Sequence, residues 1–249
     1  MSALSISLPD GSARELPAGS TVADLAASIG SRLAKAALTG VVNGSEVDLN
    51  VALANGDVVS IVTADSDAGR HVLRHSTAHV LAQAVTQLFP GAKFSVGPAI
   101  EDGFYYDFDL PEGRTFSETD LVAITARMKE IVSANQPFTR SEVSARDALK
   151  IFSDQPYKCE IIERVTTGSA DGVDADEVGS GDAISVYRNS PEFVDLCRGP
   201  HVPTTGKLGH FALMKVAGAY WRSSDKGPML QRIYGTAWES KSALEEHLN

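Results

Sequence analysis

The stretch LSISLPDGSARELPAGSTVADLAASIG, at residues 4–30, sets the fold of the N-terminal part of the chain. Two short apolar runs flank the tripeptide PDG at 9–11, and this pattern predicts a β-hairpin. Thr21 then has the character of a helix N-cap, with Asp24 three residues on, and Gly30 supplies the stop. The stretch therefore predicts a hairpin that is followed by a helix.

The next segment adds two strands to this pattern. The run GVVNGSEVDL at 40–49 predicts a strand and a tight turn at Asn43 and Gly44, and GDVVSIVTA at 56–64 predicts a closing strand. Hairpin, helix, strand and strand is the order of a β-grasp, or ubiquitin-like, domain, which we place at residues 1–64. Because this segment has no His and no Cys, we interpret it as a binding or spacer module.

The composition of the 249 residues is that of an ordinary globular protein, with 43% hydrophobic and 22% charged residues. We expect a cytoplasmic protein with no membrane partner, because no run approaches a membrane span and the N-terminus lacks a signal-peptide pattern. The two cysteines, Cys159 and Cys197, are then expected to be free thiols. The net charge of −10 disfavours a general nucleic-acid binder but leaves room for one basic groove.

Residues 65–240 predict a second, larger α+β domain with a mixed or antiparallel sheet and helices. One helix is expected at 117–135, where Ser117 and Asp120 form a cap pair. The other expected helices are at 70–89 and 144–152, and the strand-like runs are at 94–110, 183–189, 210–221 and 229–238.

Two further segments have a distinct character. The run GSADGVDADEVGSGD at 168–182 combines glycines and acids with no Lys or Arg, which predicts a mobile loop. Residues 241–249 predict the start of a helix, with Ser242 and Glu245 as a capping box.

Two pairs of side chains carry the chemistry of the second domain. His75 and His79, in RHSTAHVLAQAV at 74–85, are spaced to lie on one face of a helix. Cys197 and His201 occur at the same spacing in VDLCRGPH. Two histidines, a thiol and a third histidine are residue types that can complete a tetrahedral zinc site.

Two charged residues complicate this interpretation. Lys158, in QPYKCEI, would place an ammonium near a dication, and Asp195 lies two residues before Cys197. Four filled ligand positions would also leave no open position for water. A metal-free site fits these residues at least as well as a zinc site, and a plain ion pair between Lys158 and Asp195 stays an open alternative.

Five motifs together carry a resemblance to a known family. The motifs RHSTAHVLAQAV, GPAIEDGFYYDFD, QPYKCEI, VDLCRGPHVPTTG and AGAYWRSSDKGPMLQRIYGTAW resemble the N-terminal half of a bacterial threonyl-tRNA synthetase. Residues 1–64 are similar to the TGS domain of that family, and 65–240 to its editing domain. The H-S-T-A-H and C-R-G-P-H pairs also fit the alanyl editing family, but the TGS-like start and RIYGTAW favour the threonyl family.

The resemblance implies proofreading during protein biosynthesis, namely hydrolysis of the aminoacyl ester of mischarged Ser-tRNA(Thr). The partner would be the acceptor end of tRNA(Thr) carrying serine. In the full-length protein a class II catalytic core would follow residues 241–249, so we expect the chain itself not to charge tRNA. Serine lacks one methyl of threonine, which is worth only ~1–3 kcal/mol in binding, so a second selecting site is needed.

The resemblance also implies roles for the residues of the catalytic set. His75 and His79 would position a water molecule or take its proton, with a neutral imidazole available near pH 7. Lys158 would offer its charge to the developing oxyanion or to the ribose hydroxyls. Asp195 would hold the ammonium of the substrate or orient Lys158. No cofactor is required for this chemistry, and zinc at His75, His79, Cys197 and His201 is the less favoured reading.

Substrate-binding roles follow in the same way. Cys197 and His201 would form a wall against the seryl side chain, and Gly97 would allow its close approach. Either Tyr105 or Tyr106 could stack on the terminal adenine, although both could equally be ordinary sheet aromatics. The residues of a basic rim for tRNA phosphates would be Arg198, Lys215, Arg222, Lys226 and Arg232, for each of which solvated surface charge is an equal alternative.

Two other function classes remain open at this level. A non-catalytic RNA- or partner-binding module would leave the ester of Ser-tRNA intact at the background rate. A zinc-dependent deacylase of the alanyl trans-editing type would carry about one zinc ion per chain.

Overall fold

The computed structural model describes residues 3–169, 183–223 and 227–249. The part of the acidic loop at 170–182 and the rim residue Lys226 lie outside the described residues, so the predictions made for them stay as they are. The chain divides into two compact units. The N-terminal unit comprises Met1–Leu73 and Gly199–Pro203, and the second unit comprises Arg74–Arg198 and Thr204–Asn249.

The described residues of the N-terminal unit form five short strands, two short helices and the start of a third helix. In chain order these elements are β1 (Ala3–Ser7), β2 (Ala13–Pro17), α1 (Val22–Ile29), α2 (Ser31–Ala36), β3 (Ala37–Val42), β4 (Ser45–Asp48) and β5 (Val59–Thr63). Strands β1 and β2 form an antiparallel hairpin, and β4, β3 and β5 form a three-stranded antiparallel sheet in that order. A parallel bridge pairs Ser7 with Val58, as a β-grasp fold requires.

Local sequence signals explain these elements. The Thr21 side chain accepts from the backbone N–H of Asp24 while the Asp24 carboxylate accepts from that of Thr21, which is a complete capping box at the start of α1. Asn43 and Gly44 both have positive φ, 51° and 86°, as the tight turn between β3 and β4 demands. The core of this unit is formed by the buried residues Ile6, Leu16, Val22, Leu25, Leu53 and Val59. The predicted β-grasp fold is confirmed.

The second unit contains the remaining strands and helices. In chain order they are α3 (Asp67–Leu88, which begins in the N-terminal unit), β6 (Lys93–Phe94), β7 (Ala99–Ile100), β8 (Gly103–Asp109), α4 (Glu118–Ser133), β9 (Thr139–Ser144), α5 (Ala145–Ile151), α6 (Pro156–Thr166), β10 (Ala183–Ser190), β11 (Phe193–Leu196), β12 (Phe211–Tyr220), β13 (Met229–Ala237) and α7 (Lys241–Leu248). Short 3-10 turns occur at Pro111–Gly113, Thr205–Lys207 and Trp221–Ser223.

In the described part of this unit, two antiparallel sheets organise the fold. The larger sheet has the order β12, β13, β8 and β6, with β7 also paired to β8. The smaller sheet has the order β11, β10 and β9. The α+β class, with a β-grasp unit followed by a larger unit of helices and antiparallel sheets, is therefore as predicted.

The helices agree with the sequence patterns at most of their ends. The capping box of Ser117 and Asp120 begins α4, whose buried side carries Ile124, Met128 and Ile131. Helix α6 is not among the predicted elements, although Pro156 in its first turn is a typical start signal. At α7 the predicted cap is wrong. Ser240, and not Ser242, is the N-cap, because its hydroxyl accepts from the backbone N–H of Ala243.

Among the described residues, no helix is long and apolar enough to cross a membrane. The predicted domain boundaries at residues 64 and 240 remain predictions.

Candidate active site

Helix α3 carries the two histidines of the site on one face. The ring centroids of His75 and His79 are 5.1 Å apart, as expected for side chains one helical turn apart. His79 is buried, and His75 is partly exposed. The Nε2 atom of His75 lies 3.0 Å from the Sγ atom of Cys197, which directly follows β11. The described structure thus brings His75, His79 and Cys197 together within the second unit.

A buried triad lies next to the histidines. The Lys158 ammonium, on α6, is 2.7 Å from one oxygen of Asp195 on β11, and it donates to the hydroxyl of Tyr106 on β8 at 3.1 Å. The Tyr106 hydroxyl in turn donates to the other oxygen of Asp195 at 2.6 Å. Lys158, Asp195 and Tyr106 are each 1% exposed. Transferring an ion pair from water into the protein interior costs free energy, and the three contacts among these residues offset that cost.

The triad is linked to His79 through Asp195. The Nδ1 atom of His79 is 3.6 Å from Asp195 Oδ2. The pKa of His79 is lowered to about 4, mainly by burial; the Asp195 carboxylate opposes this shift, and the nearby Lys158 charge adds to it. The imidazole of His79 is therefore neutral at pH 7, as a group that accepts a proton must be.

Aromatic rings surround Lys158 and His79. The Lys158 ammonium lies 5.3 Å from the ring centroid of Phe94 and 5.6 Å from that of Tyr106. The ring of Phe138 is 6.4 Å from that of His79, in an edge-on arrangement. These contacts keep water from the charged groups and strengthen the interactions among them.

Gly97 and Tyr106 are in contact with each other. A Cβ atom at Gly97 would come within 2.1 Å of the Tyr106 ring, so glycine is needed here to make room for that ring. The ring of Tyr106 is buried and offers no face to a base, whereas stacking by Tyr105 stays a prediction. The sequence pattern missed the contacts of the Tyr106 hydroxyl. The alternation along β8, which turns Tyr105 and Tyr106 to opposite faces, was the available signal.

Tyr105 lies under a cation on the other face of the sheet. The guanidinium of Arg232 is 3.8 Å from its ring centroid, and the ring of Tyr234 is 5.8 Å away. Arg232 also pairs with both oxygens of Asp107, at 2.6 and 2.8 Å, and these bonds raise its pKa above the usual range.

Two residues of the predicted basic rim lie beside carboxylates. Arg232 pairs with Asp107, and Arg222 lies 3.0 Å from Glu160. Arg198 and Lys215 are exposed.

The histidine and cysteine side chains also have the composition of a metal site. His75, His79 and Cys197 each offer one ligand atom, and these atoms lie within 4.8 Å of one another. The set His75, His79, Cys197 and His201 could hold a metal ion by its residue types. His201 is buried in the segment Gly199–Pro203 of the N-terminal unit, where its backbone N–H donates to Asp48 at 2.9 Å.

Comparisons with known proteins agree with this organisation. Residues 4–63 match the TGS domain, and residues 184–234 match the Threonyl and Alanyl tRNA synthetase second additional domain. The threonine–tRNA ligase of Pelobacter propionicus is 47% identical over 251 residues, which cover 100% of this chain and 37% of the relative. The threonine–tRNA ligase of Saccharophagus degradans is 48% identical over 246 residues, which cover 98% of this chain and 36% of the relative.

A β-grasp TGS domain followed by a second additional domain defines a synthetase accessory region with a general role in editing. The chain belongs to the threonine–tRNA ligase family, and it corresponds to the N-terminal region of those enzymes. It spans about 37% of the length of the curated relatives that it matches. The relatives are named as threonine–tRNA ligases, and that name describes their whole, longer chains.

Proposed function

We propose that the second unit is an aminoacyl-tRNA deacylase that hydrolyses the ester of Ser-tRNA(Thr). The observation that carries the proposal is the buried triad of Lys158, Asp195 and Tyr106, linked through Asp195 to His79. A buried ammonium and a neutral imidazole, here that of His79, are groups that an ester hydrolysis can use, and a buried imidazole with a lowered pKa is typical of a functional site.

The chemical step requires a held water molecule and a stabilised oxyanion. Water attacks the carbonyl carbon of the ester, and His75 or His79 takes its proton. The tetrahedral intermediate then collapses, the carbon–oxygen bond to the ribose breaks, and the ribose oxygen receives the proton. The products are serine and tRNA with a free terminal hydroxyl.

Lys158 is suited to stabilise the intermediate. An ammonium has three N–H donors, and the contacts with Asp195 and Tyr106 occupy two of them. The remaining donor can face the developing oxyanion or a ribose hydroxyl. Asp195 and Tyr106 hold Lys158 in place before the substrate arrives, so little reorganisation is needed during the reaction.

Selection of serine over threonine depends on the wall of the pocket. Cys197 is 2% exposed, and its sulfur contacts the ring of His75, so its position is fixed. We assign Cys197 and His201 to the wall that would collide with the additional methyl of threonine. Steric exclusion by a rigid wall adds to the ~1–3 kcal/mol that the methyl itself is worth.

The deacylation of purified Ser-tRNA(Thr) by the whole chain tests the proposal. The ester should disappear far faster with the protein than without it, and free serine should appear in equal amount. Binding of tRNA with an ester lifetime equal to that of the protein-free control would instead identify a non-catalytic binding module.

A zinc-dependent deacylase is the second candidate, and a specific observation favours it. Asp195 lies 3.6 Å from one ring nitrogen of His79, and a carboxylate behind a histidine is a common arrangement at zinc sites. If zinc were bound, His75, His79, Cys197 and His201 would hold it, and it would polarise water or a carbonyl. We favour the metal-free site because Lys158, paired to the same carboxylate, would repel a dication.

Chelation separates these two candidates. Protein treated with chelator and then dialysed should deacylate Ser-tRNA(Thr) at an unchanged rate. A rate that falls to background and returns when zinc is added would establish the zinc-dependent mechanism.

The partners of the chain belong to the same proposal. We infer that it binds the acceptor end of tRNA(Thr), with Tyr105 and Arg198 as contacts, and that it acts in the cytoplasm beside the ligation core of a longer protein.

A further inference from the structure

A largely buried chain of side-chain amide groups begins on α3, one helical turn beyond His79. The side-chain N–H of Asn189 donates to the side-chain carbonyl of Gln83. The side-chain N–H of Gln83 in turn donates to the side-chain carbonyl of Gln136 at 3.1 Å. The backbone N–H of Gln136 then donates to the Thr205 hydroxyl at 2.9 Å. Gln83 and Thr205 are 0% exposed, and Asn189 is 3% exposed.

The Thr205 hydroxyl completes the chain by donating to the backbone carbonyl of Ile131 at 2.8 Å. The four linked residues belong to α3, β10, the segment between α4 and β9, and the turn after residue 203. We call Asn189, Gln83, Gln136 and Thr205 the amide relay. A hydrogen-bonded network of this kind, of which Gln83, Asn189 and Thr205 are buried, favours one arrangement of the elements that it joins.

A β-bulge directs Asn189 into the relay. Strand β10 pairs Arg188 with Val194 but then pairs Ser190 with Phe193, so Asn189 is the additional residue. A bulge re-aims a side chain at the expense of the regular ladder, and bulges are frequent beside active sites. The neighbouring strand β11 carries Asp195, so the bulge lies on the same hairpin as the carboxylate of the triad.

The relay joins two of the elements that supply the site, helix α3 and the hairpin of β10 and β11. Gln83 follows His79 by one helical turn, so the two side chains lie on the same face of α3. Asn189 and Asp195 lie on the paired strands β10 and β11. The hydrogen bond between Asn189 and Gln83 therefore fixes the position of α3 along its axis relative to this hairpin. That position in turn sets the distance from His79 to Asp195.

We propose that Gln83 and Asn189 are positioning residues for the deacylation, which act through His79 and Asp195 without touching the substrate. This inference rests on the proposed function. Loss of their hydrogen bond would let α3 shift against the hairpin, and a shift of about 1 Å can cost roughly 10²-fold in rate.

Substitutions that keep side-chain size but remove the amide test this proposal in the whole chain. Gln83→Met and Asn189→Leu should each lower kcat for Ser-tRNA(Thr) by roughly 10- to 100-fold and leave KM within twofold. The double variant should be no slower than the slower single variant, because both changes break the same bond. Gln83→Asn, which draws the amide back by one carbon, serves as a milder variant if Gln83→Met does not fold.

A matched control lies one turn further along α3. Gln87 accepts from the Arg127 Nε at 2.9 Å and is bonded to α4, not to β10. Gln87→Met should therefore leave kcat unchanged. Equal kcat for the folded Gln83→Met, Asn189→Leu and Gln87→Met proteins would overturn the positioning role.

The ring signals of His79 provide a readout that does not depend on turnover. In an NMR spectrum of the histidine rings, Gln83→Met should shift or broaden the signals of His79, whereas Gln87→Met should not. If the parent chain does not deacylate Ser-tRNA(Thr), the proposed function fails. The NMR comparison then decides the relay alone, and unchanged His79 signals would refute it.

Discussion

At the scale of single residues, the charge on Lys158 is the feature that most constrains the chemistry. Its ammonium is buried and is held by Asp195 at 2.7 Å and by Tyr106 at 3.1 Å. A plain structural ion pair would need neither the hydroxyl bridge nor the position next to His79. The arrangement is therefore typical of a preorganised site that stabilises a developing charge, and it differs from a surface salt bridge.

We predict that Lys158→Ala and His75→Ala slow the hydrolysis of Ser-tRNA(Thr) strongly. Removing one oxyanion donor typically costs ~10²–10³ in rate, and His75 would act on the attacking water. Single-turnover rates measured with saturating protein would show the effect. Rates equal to that of the parent would refute the assigned chemistry.

Folding must be controlled in this experiment, because Lys158→Ala leaves the buried Asp195 carboxylate without its cation. Removal of one partner of a buried pair can cost about 3–5 kcal/mol in folding free energy. The double variant Lys158→Met with Asp195→Asn leaves no buried charge unpaired. It should fold well and still be slow, and a fast, folded double variant would count against the proposed role of Lys158.

Cys197→Ala should behave differently from these variants. Because it widens the pocket without removing a donor, we expect a smaller loss on Ser-tRNA and the beginning of Thr-tRNA hydrolysis. The ratio of the two rates, measured with both substrates, should move towards unity. An unchanged ratio would show that Cys197 is not part of the selecting wall.

At the scale of elements, the cross-strand pair of Arg232 and Asp107 joins β13 to β8 on the larger sheet. The Asp107 side chain is 5% exposed, and both of its oxygens accept from Arg232. We predict that Arg232→Ala lowers the free energy of unfolding by about 1–3 kcal/mol, because it strands a buried carboxylate.

Urea denaturation measures this effect, and β9 offers a matched control. Arg140 pairs with Glu142 at 2.8 Å, but both side chains are exposed. Arg140→Ala should change the free energy of unfolding by less than about 0.5 kcal/mol. Similar losses for the two variants would show that burial of Asp107 does not matter.

The elements also show what a sequence can predict. The capping boxes at Thr21 and Ser117 are local, since both partners lie within three residues, so α1 and α4 follow directly from the pattern. Helix α6 does not, because its motif QPYKCEI buries Tyr157 and Lys158 side by side and breaks the usual alternation of polar and apolar residues. The bulge at Asn189 has no local signal, because it depends on a partner strand.

The candidate site divides in the same way. The spacing of His75 and His79 predicts their shared face, since it depends only on helical geometry. The contact of Lys158 with Asp195 joins α6 to β11, and the Tyr106 bridge adds a third element. Such contacts between distant parts of a chain follow from tertiary packing, which periodicity does not encode.

At the scale of the whole molecule, the chain combines a β-grasp unit that has no histidine or cysteine in residues 1–64 with a unit that carries the triad. We predict that residues 65–249 alone still deacylate Ser-tRNA(Thr), more weakly than the whole chain. Circular dichroism and a cooperative melting transition would show that the shortened protein is folded. A folded but wholly inactive protein would contradict the functional boundary near residue 64.

The central claim is that this chain removes serine, and not threonine, from tRNA(Thr). The most direct test is to incubate the whole chain with Ser-tRNA(Thr) and with Thr-tRNA(Thr) in parallel and to follow both esters in a single turnover. We predict rapid loss of the seryl ester, with the threonyl ester as stable as in the protein-free control. A seryl ester that survives as long as the control, or equal loss of both esters, would contradict the claim.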